Sequence, residues 1–162
     1  MQLNTQYAGG IKLIFENFYS GPLYHKFNSS LRKVSRKFDD SWTDHLEGNT
    51  YANNIYACSS CLRKTSQCSS IPRGRKVFRG FGGVQLPEAL KSVKEGGGCG
   101  GLEFGFMSTT TSKDVAVSYI GGKALPVLME IDVGDIDRGA SLSYLSQYPS
   151  EVSLYIYIYD YM

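Results

Sequence analysis

The sequence predicts an α+β protein in which a helical N-terminal lobe precedes a β core, and three observations carry that prediction. Apolar residues recur at helical intervals as far as about Gln67. After Ile71-Pro72-Arg73-Gly74 the helical period gives way to short apolar runs separated by glycine, the pattern of strands and turns. With 162 residues the chain fits one domain, long enough to bury about two-thirds of the surface its unfolded form exposes.

Taken in order, Ile11, Ile14, Phe15 and Phe18 fall at i, i+3, i+4 and i+7 and predict a first helix that Gly21-Pro22 stops. Phe27, Leu31, Val34 and Phe38 repeat the period for a second. Asn49 or Thr50 can cap a third, running through Ile55 and Leu62. Asp39-Asp40-Ser41-Trp42 and Glu47-Gly48-Asn49 read as connections. Strands are expected near Lys76–Arg79, Phe104–Ser108, Leu125–Val133 and Glu151–Tyr159. Pro87–Val93 reads as a short helix with proline in its first turn. Thr111-Ser112-Lys113-Asp114 opens another that carries Val115, Ala116 and Tyr119. Glycines 96, 97, 98, 100 and 101 form a connection that a strand follows, whereas a phosphate-cradling glycine loop lies after a strand and before a helix.

Composition narrows the function classes. No apolar run approaches the roughly 20 residues of a membrane span, and the polar start lacks the basic and apolar regions of a secretory signal. A soluble, intracellular product is expected. Net charge is +2, but residues 1–76 hold eleven Lys/Arg against five Asp/Glu, and residues 77–162 hold six against ten. Arg32, Lys33, Arg36 and Lys37 fall on more than one helix face, which favours a solvated helix over a nucleic-acid surface. Cys58 and Cys61 have the spacing of half a zinc site, yet Cys68 and Cys99 form no second close pair and His25 and His45 lie far upstream. Tyr51, Ile55, Cys58 and Leu62 share a helical stripe, so Cys58 is expected as a small buried thiol and no metal is expected.

The candidate site residues lie in three stretches. Arg79 ends a strand, with Phe78 on the opposite face, and precedes Gly80, Gly82 and Gly83, which allow close backbone approach. Its planar fork of donors suits phosphate oxygens. An ion pair to Glu103 or Glu130 is the structural alternative. Ser108-Thr109-Thr110 joins a strand to a capped helix, where hydroxyls serve either backbone groups or a ribose. On the last strand Glu151, Ser153, Tyr155 and Tyr157 alternate with Val152, Leu154, Ile156 and Ile158, so positions 151 and 153 point the same way. Two carboxylates there would stabilise positive charge developing on a ribose, but only Glu151 is an acid; a solvated charge at a strand start is its alternative.

Gly48-Asn49 leading to Ile71-Pro72, then Val77-Phe78-Arg79-Gly80, Glu103-Phe104-Gly105-Phe106-Met107-Ser108-Thr109-Thr110 and Ser143-Tyr144-Leu145-Ser146-Gln147-Tyr148-Pro149, resembles the arginine-specific mono-ADP-ribosyltransferases, the R-S-E class. The resemblance runs from about Gly21-Pro22-Leu23-Tyr24 to Glu151. It implies a cleft between two roughly perpendicular sheets beside a helical lobe, binding NAD, with NADP as the alternative co-substrate. It further implies that Arg79 holds the NAD phosphates, Gly80 contacts the nicotinamide through its backbone, and Ser108, with Thr109 beside it, supports the reacting ribose. Residues 143–150 would present the target, a protein bearing an acceptor arginine, and Glu151 would deprotonate or orient that arginine. A monomer is expected.

Two departures from the family pattern stand out. Ser153 occupies the position of the family's second glutamate, and loss of such a charge stabiliser costs about 10²–10³ in rate. The tail Tyr155–Met162 alternates tyrosine and isoleucine where the resemblance implies prolines and a further strand. That change motivates the expectation that the natural coding sequence departs after about Ser150, which a transcript covering residues 145–162 tests. Three readings follow: an ADP-ribosyltransferase, an NAD-binding module with degraded catalysis, and a helical interaction domain fused to a sheet without a nucleotide site.

Overall fold

A computed structural model describes residues 10, 21, 23–33, 46–68, 71–83, 85, 103–133, 139–142 and 154–156. The expected helices at 11–18 and 87–93, the glycine connection at 96–101, Cys99 and residues 143–153 lie outside the described residues.

Helix α1, Tyr24–Lys33, buries Phe27 and Asn28. Helix α2, Ala52–Cys68, follows a sharp entry in which the Tyr51 N–H donates to Asn49 Oδ1 at 2.9 Å and Tyr51 adopts a φ of 51°. The expected cap is thus corrected. Asn49 closes a turn onto Tyr51, two residues on, ahead of the helix, instead of capping its first N–H groups. Ser30 Oγ donates to the Thr50 carbonyl at 2.6 Å and ties α1 to this entry. Cys58, Cys61 and Leu62 of α2 pack with Phe27, Phe106, Ala140 and Leu142, and Tyr51 and Ile55 lie against them, so the predicted stripe forms a core. The Phe27 and Tyr51 rings meet tilted, with centroids 5.7 Å apart.

Strand β1, Lys76–Phe81, pairs antiparallel with β3, Val127–Asp132, placing Val77 opposite Ile131 and Arg79 opposite Met129. Ile71, Val77 and Val133 form a second buried cluster behind this pair. Strand β3 is shorter than expected because Leu125 turns with a φ of 49° and Pro126 has no N–H to give to a ladder. A second sheet has the order β2-β5-β4, with β2 Met107–Thr109, β4 Ala140–Ser141 and β5 Leu154–Ile156, all antiparallel. The two-residue β4 was not expected, since two residues show no period.

The two sheets join where Phe78 and Thr110 exchange main-chain hydrogen bonds of 2.7 and 2.8 Å. Helix α3, Lys113–Ser118, starts within the expected 111–114 stretch, and its cap is Ser112, the Val115 N–H donating to Ser112 Oγ at 3.4 Å. It lies directly on β1 at Gly80, where a Cβ would stand 1.8 Å from the Ala116 carbonyl oxygen. Mixed α and β structure is therefore as expected. No helix among the described residues is long and apolar enough to cross a membrane.

Candidate functional site

Arg79 and Ser108 are brought together. On β1 the alternation puts Arg79 on the face of Val77 and turns Gly80 to the opposite face, under α3. Arg79 Nη1 donates to the Ser108 carbonyl at 2.8 Å, bridging 29 residues of sequence. The contact lies one residue from Phe78 on β1 and two residues before Thr110, so the sheet junction fixes it. A guanidinium on a main-chain oxygen leaves the Ser108 hydroxyl uncommitted to that bond. Ser108 is half-buried, and its Cα partner across the sheet is Tyr155 of β5.

Thr109 alternates to the other face with Met107 and is only 5 % exposed. Thr109 is thus placed on the buried side of β2, away from the face of Ser108. Thr110 Oγ1 accepts the Ser112 N–H at 3.1 Å, so one hydroxyl of the cluster does serve the strand-to-helix junction. Gly80 likewise has a structural use: the close backbone approach it permits is that of Ala116 in α3. Gly82 repeats this, since its Cβ would fall 2.6 Å from Lys123 Cβ. Glu151 and Ser153 lie outside the described residues, and the same is true of the expected target loop. Strand β5 sets Leu154 opposite Thr109.

The carboxylates weighed as partners of Arg79 are engaged elsewhere. Lys76 Nζ pairs with Glu130 Oε1 on the surface. Glu103 is gripped from α1: Arg32 Nε donates to Oε1 and Arg32 Nη2 to Oε2, both at 2.9 Å, while the Gly105 N–H donates to Oε1 at 2.7 Å. Burial pushes the Glu103 carboxyl up, but the Arg32 and Gly105 hydrogen bonds and the charges of Arg32 and Arg79 outweigh it and hold the group below its ordinary value.

One turn earlier on α1, Asn28 completes the grip. Its Nδ2 donates to the Phe106 carbonyl at 3.2 Å, and its Oδ1 accepts the Phe106 N–H at 2.7 Å. This explains why β2 starts at Met107 rather than near Phe104. The amide groups of Gly105 and Phe106 are taken by side chains, so they are not available to a ladder. The hold of Asn28 and Arg32 on Glu103 and Phe106 was not foreseen. The available signal was the i, i+4 spacing of Asn28 and Arg32, which puts two polar groups on one face of a short helix.

The Cys58 and Cys61 thiols are free and buried. Burial, then the neighbouring Cys61, pushes Cys58 up to about 12, the behaviour of a packed thiol and not of a thiolate ligand. No group of three or more His, Cys, Asp or Glu among the described residues is placed to hold a metal ion.

Comparison of the chain with family models, with curated proteins and with solved structures finds no match.

Proposed function

We propose that this chain transfers ADP-ribose from NAD to an arginine side chain of a target protein, with release of nicotinamide, as the R-S-E class of mono-ADP-ribosyltransferases does. The observation that carries the reading is the bond from Arg79 Nη1 to the Ser108 carbonyl. It sets the guanidinium expected at the phosphates beside the residue expected at the ribose, and a diphosphate-linked nucleotide requires both within its own length. The order of motifs along the chain, Arg79, then Ser108, then Glu151, supports the same reading.

In the reaction, the bond between the ribose C1 carbon and the nicotinamide nitrogen breaks, and the nicotinamide leaves with the electron pair. A nitrogen of the acceptor guanidine bonds to C1 and gives up a proton. Arg79 offers parallel donors to the diphosphate, a charge-assisted contact that stays ionised at any working pH. Ser108 supports the ribose through its hydroxyl while its carbonyl keeps Arg79 in place. Glu151 takes the acceptor proton. The fold proposed is that of this transferase class, with the two sheets flanking the nucleotide.

Ser153 favours a second reading, an NAD-binding module with little transfer, because a hydroxyl brings no charge to stabilise a cationic ribose. Incubating the protein with labelled NAD or NADP and an arginine-rich acceptor separates the two. Label on the acceptor supports the transferase. Binding without transfer or hydrolysis leaves the module. No binding of either nucleotide removes both and leaves the interaction domain.

A further inference from the structure

We propose that the main-chain N–H of Ser108 is a ligand contact and donates to a diphosphate oxygen of the nucleotide. The inference rests on the reading above, in which NAD binds at Arg79 and Ser108, and adds a backbone donor to a residue of which that reading uses only the hydroxyl as a ligand contact.

Alternate residues of a strand turn their N–H and C=O to the same edge. Thr110 exchanges both of its main-chain bonds with Phe78, so its groups point towards β1. Phe106 and Ser108 share that edge, while Met107 and Thr109 turn their groups to β5, where Ile156 and Leu154 lie opposite them. Along the β1 edge, both groups of Phe106 are taken by Asn28 and both groups of Thr110 by Phe78. The Ser108 carbonyl accepts from Arg79 Nη1 at 2.8 Å, and the Ser108 N–H meets no acceptor among the described residues. One further hydrogen-bonded pair beyond Phe78 and Thr110 would set Gly80 opposite Ser108 and supply that acceptor. The pairing stops instead. Gly80 lies against Ala116 of α3, and the Arg79 side chain takes the place of a strand at the Ser108 carbonyl.

A main-chain donor left open on a half-buried residue is a cost until water or a ligand takes it. Charge decides which oxygen suits it. A bare carbonyl beside the N–H would repel an anion, but a guanidinium covers this one, so the edge is fit for a phosphate oxygen. Only the Arg79 donor already bonded to that carbonyl is needed for this.

Two measurements test the assignment on the full chain. In NMR of isotope-labelled protein without ligand, the Ser108 amide is expected to exchange fast with solvent, and those of Phe106 and Thr110, already bonded, slowly. With NAD or ADP-ribose bound, the Ser108 amide proton is expected to move downfield and to show a coupling to phosphorus across the new hydrogen bond. Nicotinamide, which has no phosphate, is expected to do neither. The second measurement replaces the peptide bond before Ser108 by an ester through chemical ligation, which removes the N–H and keeps the side chain. At a temperature where circular dichroism shows the variant folded, its dissociation constant for ADP-ribose is expected to rise about tenfold, as for a lost hydrogen bond to a charged group. A Ser108 amide already slow in the free protein overturns the inference. So does a bound nucleotide that leaves this amide unshifted and uncoupled, an equal shift with nicotinamide, or an unchanged constant in the ester variant, and in each case NAD binding keeps the proposed function standing. Wild type that binds neither NAD nor ADP-ribose removes the proposed function and this inference with it. Where the ester variant does not fold, the NMR result decides.

Discussion

Thr65 lies in the last third of α2, 1 % exposed, with its hydroxyl oxygen buried and without a hydrogen-bond partner. A buried donor that loses water and finds no replacement is a net cost, and valine keeps the branched shape without the hydroxyl. Thr65→Val is therefore expected to stabilise the protein by about 1 kcal/mol in urea unfolding. Cys58 makes a residue-scale prediction through its proton. The folded thiol is pushed up to about 12 from 9.0, so its contribution to stability is complete below pH 9 and is lost as pH rises towards 12. Unfolding midpoints measured between pH 8 and pH 11 should fall more steeply for wild type than for Cys58→Ala. Equal slopes would mean that the thiol is not sealed in the helical core.

At the scale of elements, two contacts set the geometry of the site, and each can be weakened singly. Helix α3 touches β1 at a glycine, and the added methyl of Gly80→Ala meets a carbonyl oxygen of the helix backbone, not a side chain that can turn aside. The expected cost is about 3 kcal/mol, read as a lower urea midpoint. Helix α1 holds the approach to β2 through Glu103, whose carboxyl is held below its ordinary value. Stability from that pair is present above the unfolded carboxyl's titration and is lost as pH falls through the depressed folded one. Below pH 5, wild type should accordingly lose more stability than Glu103→Gln.

These contacts also show how far the sequence could be read. The stripe through Cys58 and Leu62, the helix start at 111–114 and the strand at Arg79 were legible because each is a local pattern with a fixed period or position. The grip of Asn28 and Arg32 on residues 103–106 was not, because it joins segments more than 70 residues apart and uses no repeating signal. The same distance explains why Glu103 was considered as a partner for Arg79 when its hydrogen bonds go to Arg32 and Gly105. At Gly80 the sequence pointed to close approach by a ligand, while the approach of Ala116 from α3 was not foreseen.

For the whole molecule, the relation between the two sheets decides whether the candidate residues act together. Arg79 sits on one sheet and Ser108 on the other, so NAD binding would draw on both, and losing the guanidinium should be felt as lost linkage. A binder saturated at about 100 times its dissociation constant gains roughly 2.7 kcal/mol, seen as a raised melting temperature. Arg79→Ala is expected to abolish that rise. A variant that still melts higher with NAD would place the phosphates elsewhere.

The exchange between Phe78 and Thr110 is made by backbone atoms. Substitutions at either position can therefore accumulate without parting the sheets, whereas a change in chain length cannot. One amino acid inserted between Thr109 and Thr110 would turn Ser108 inward and Thr109 outward, so lineages of this protein should tolerate replacement at the seam and reject indels there.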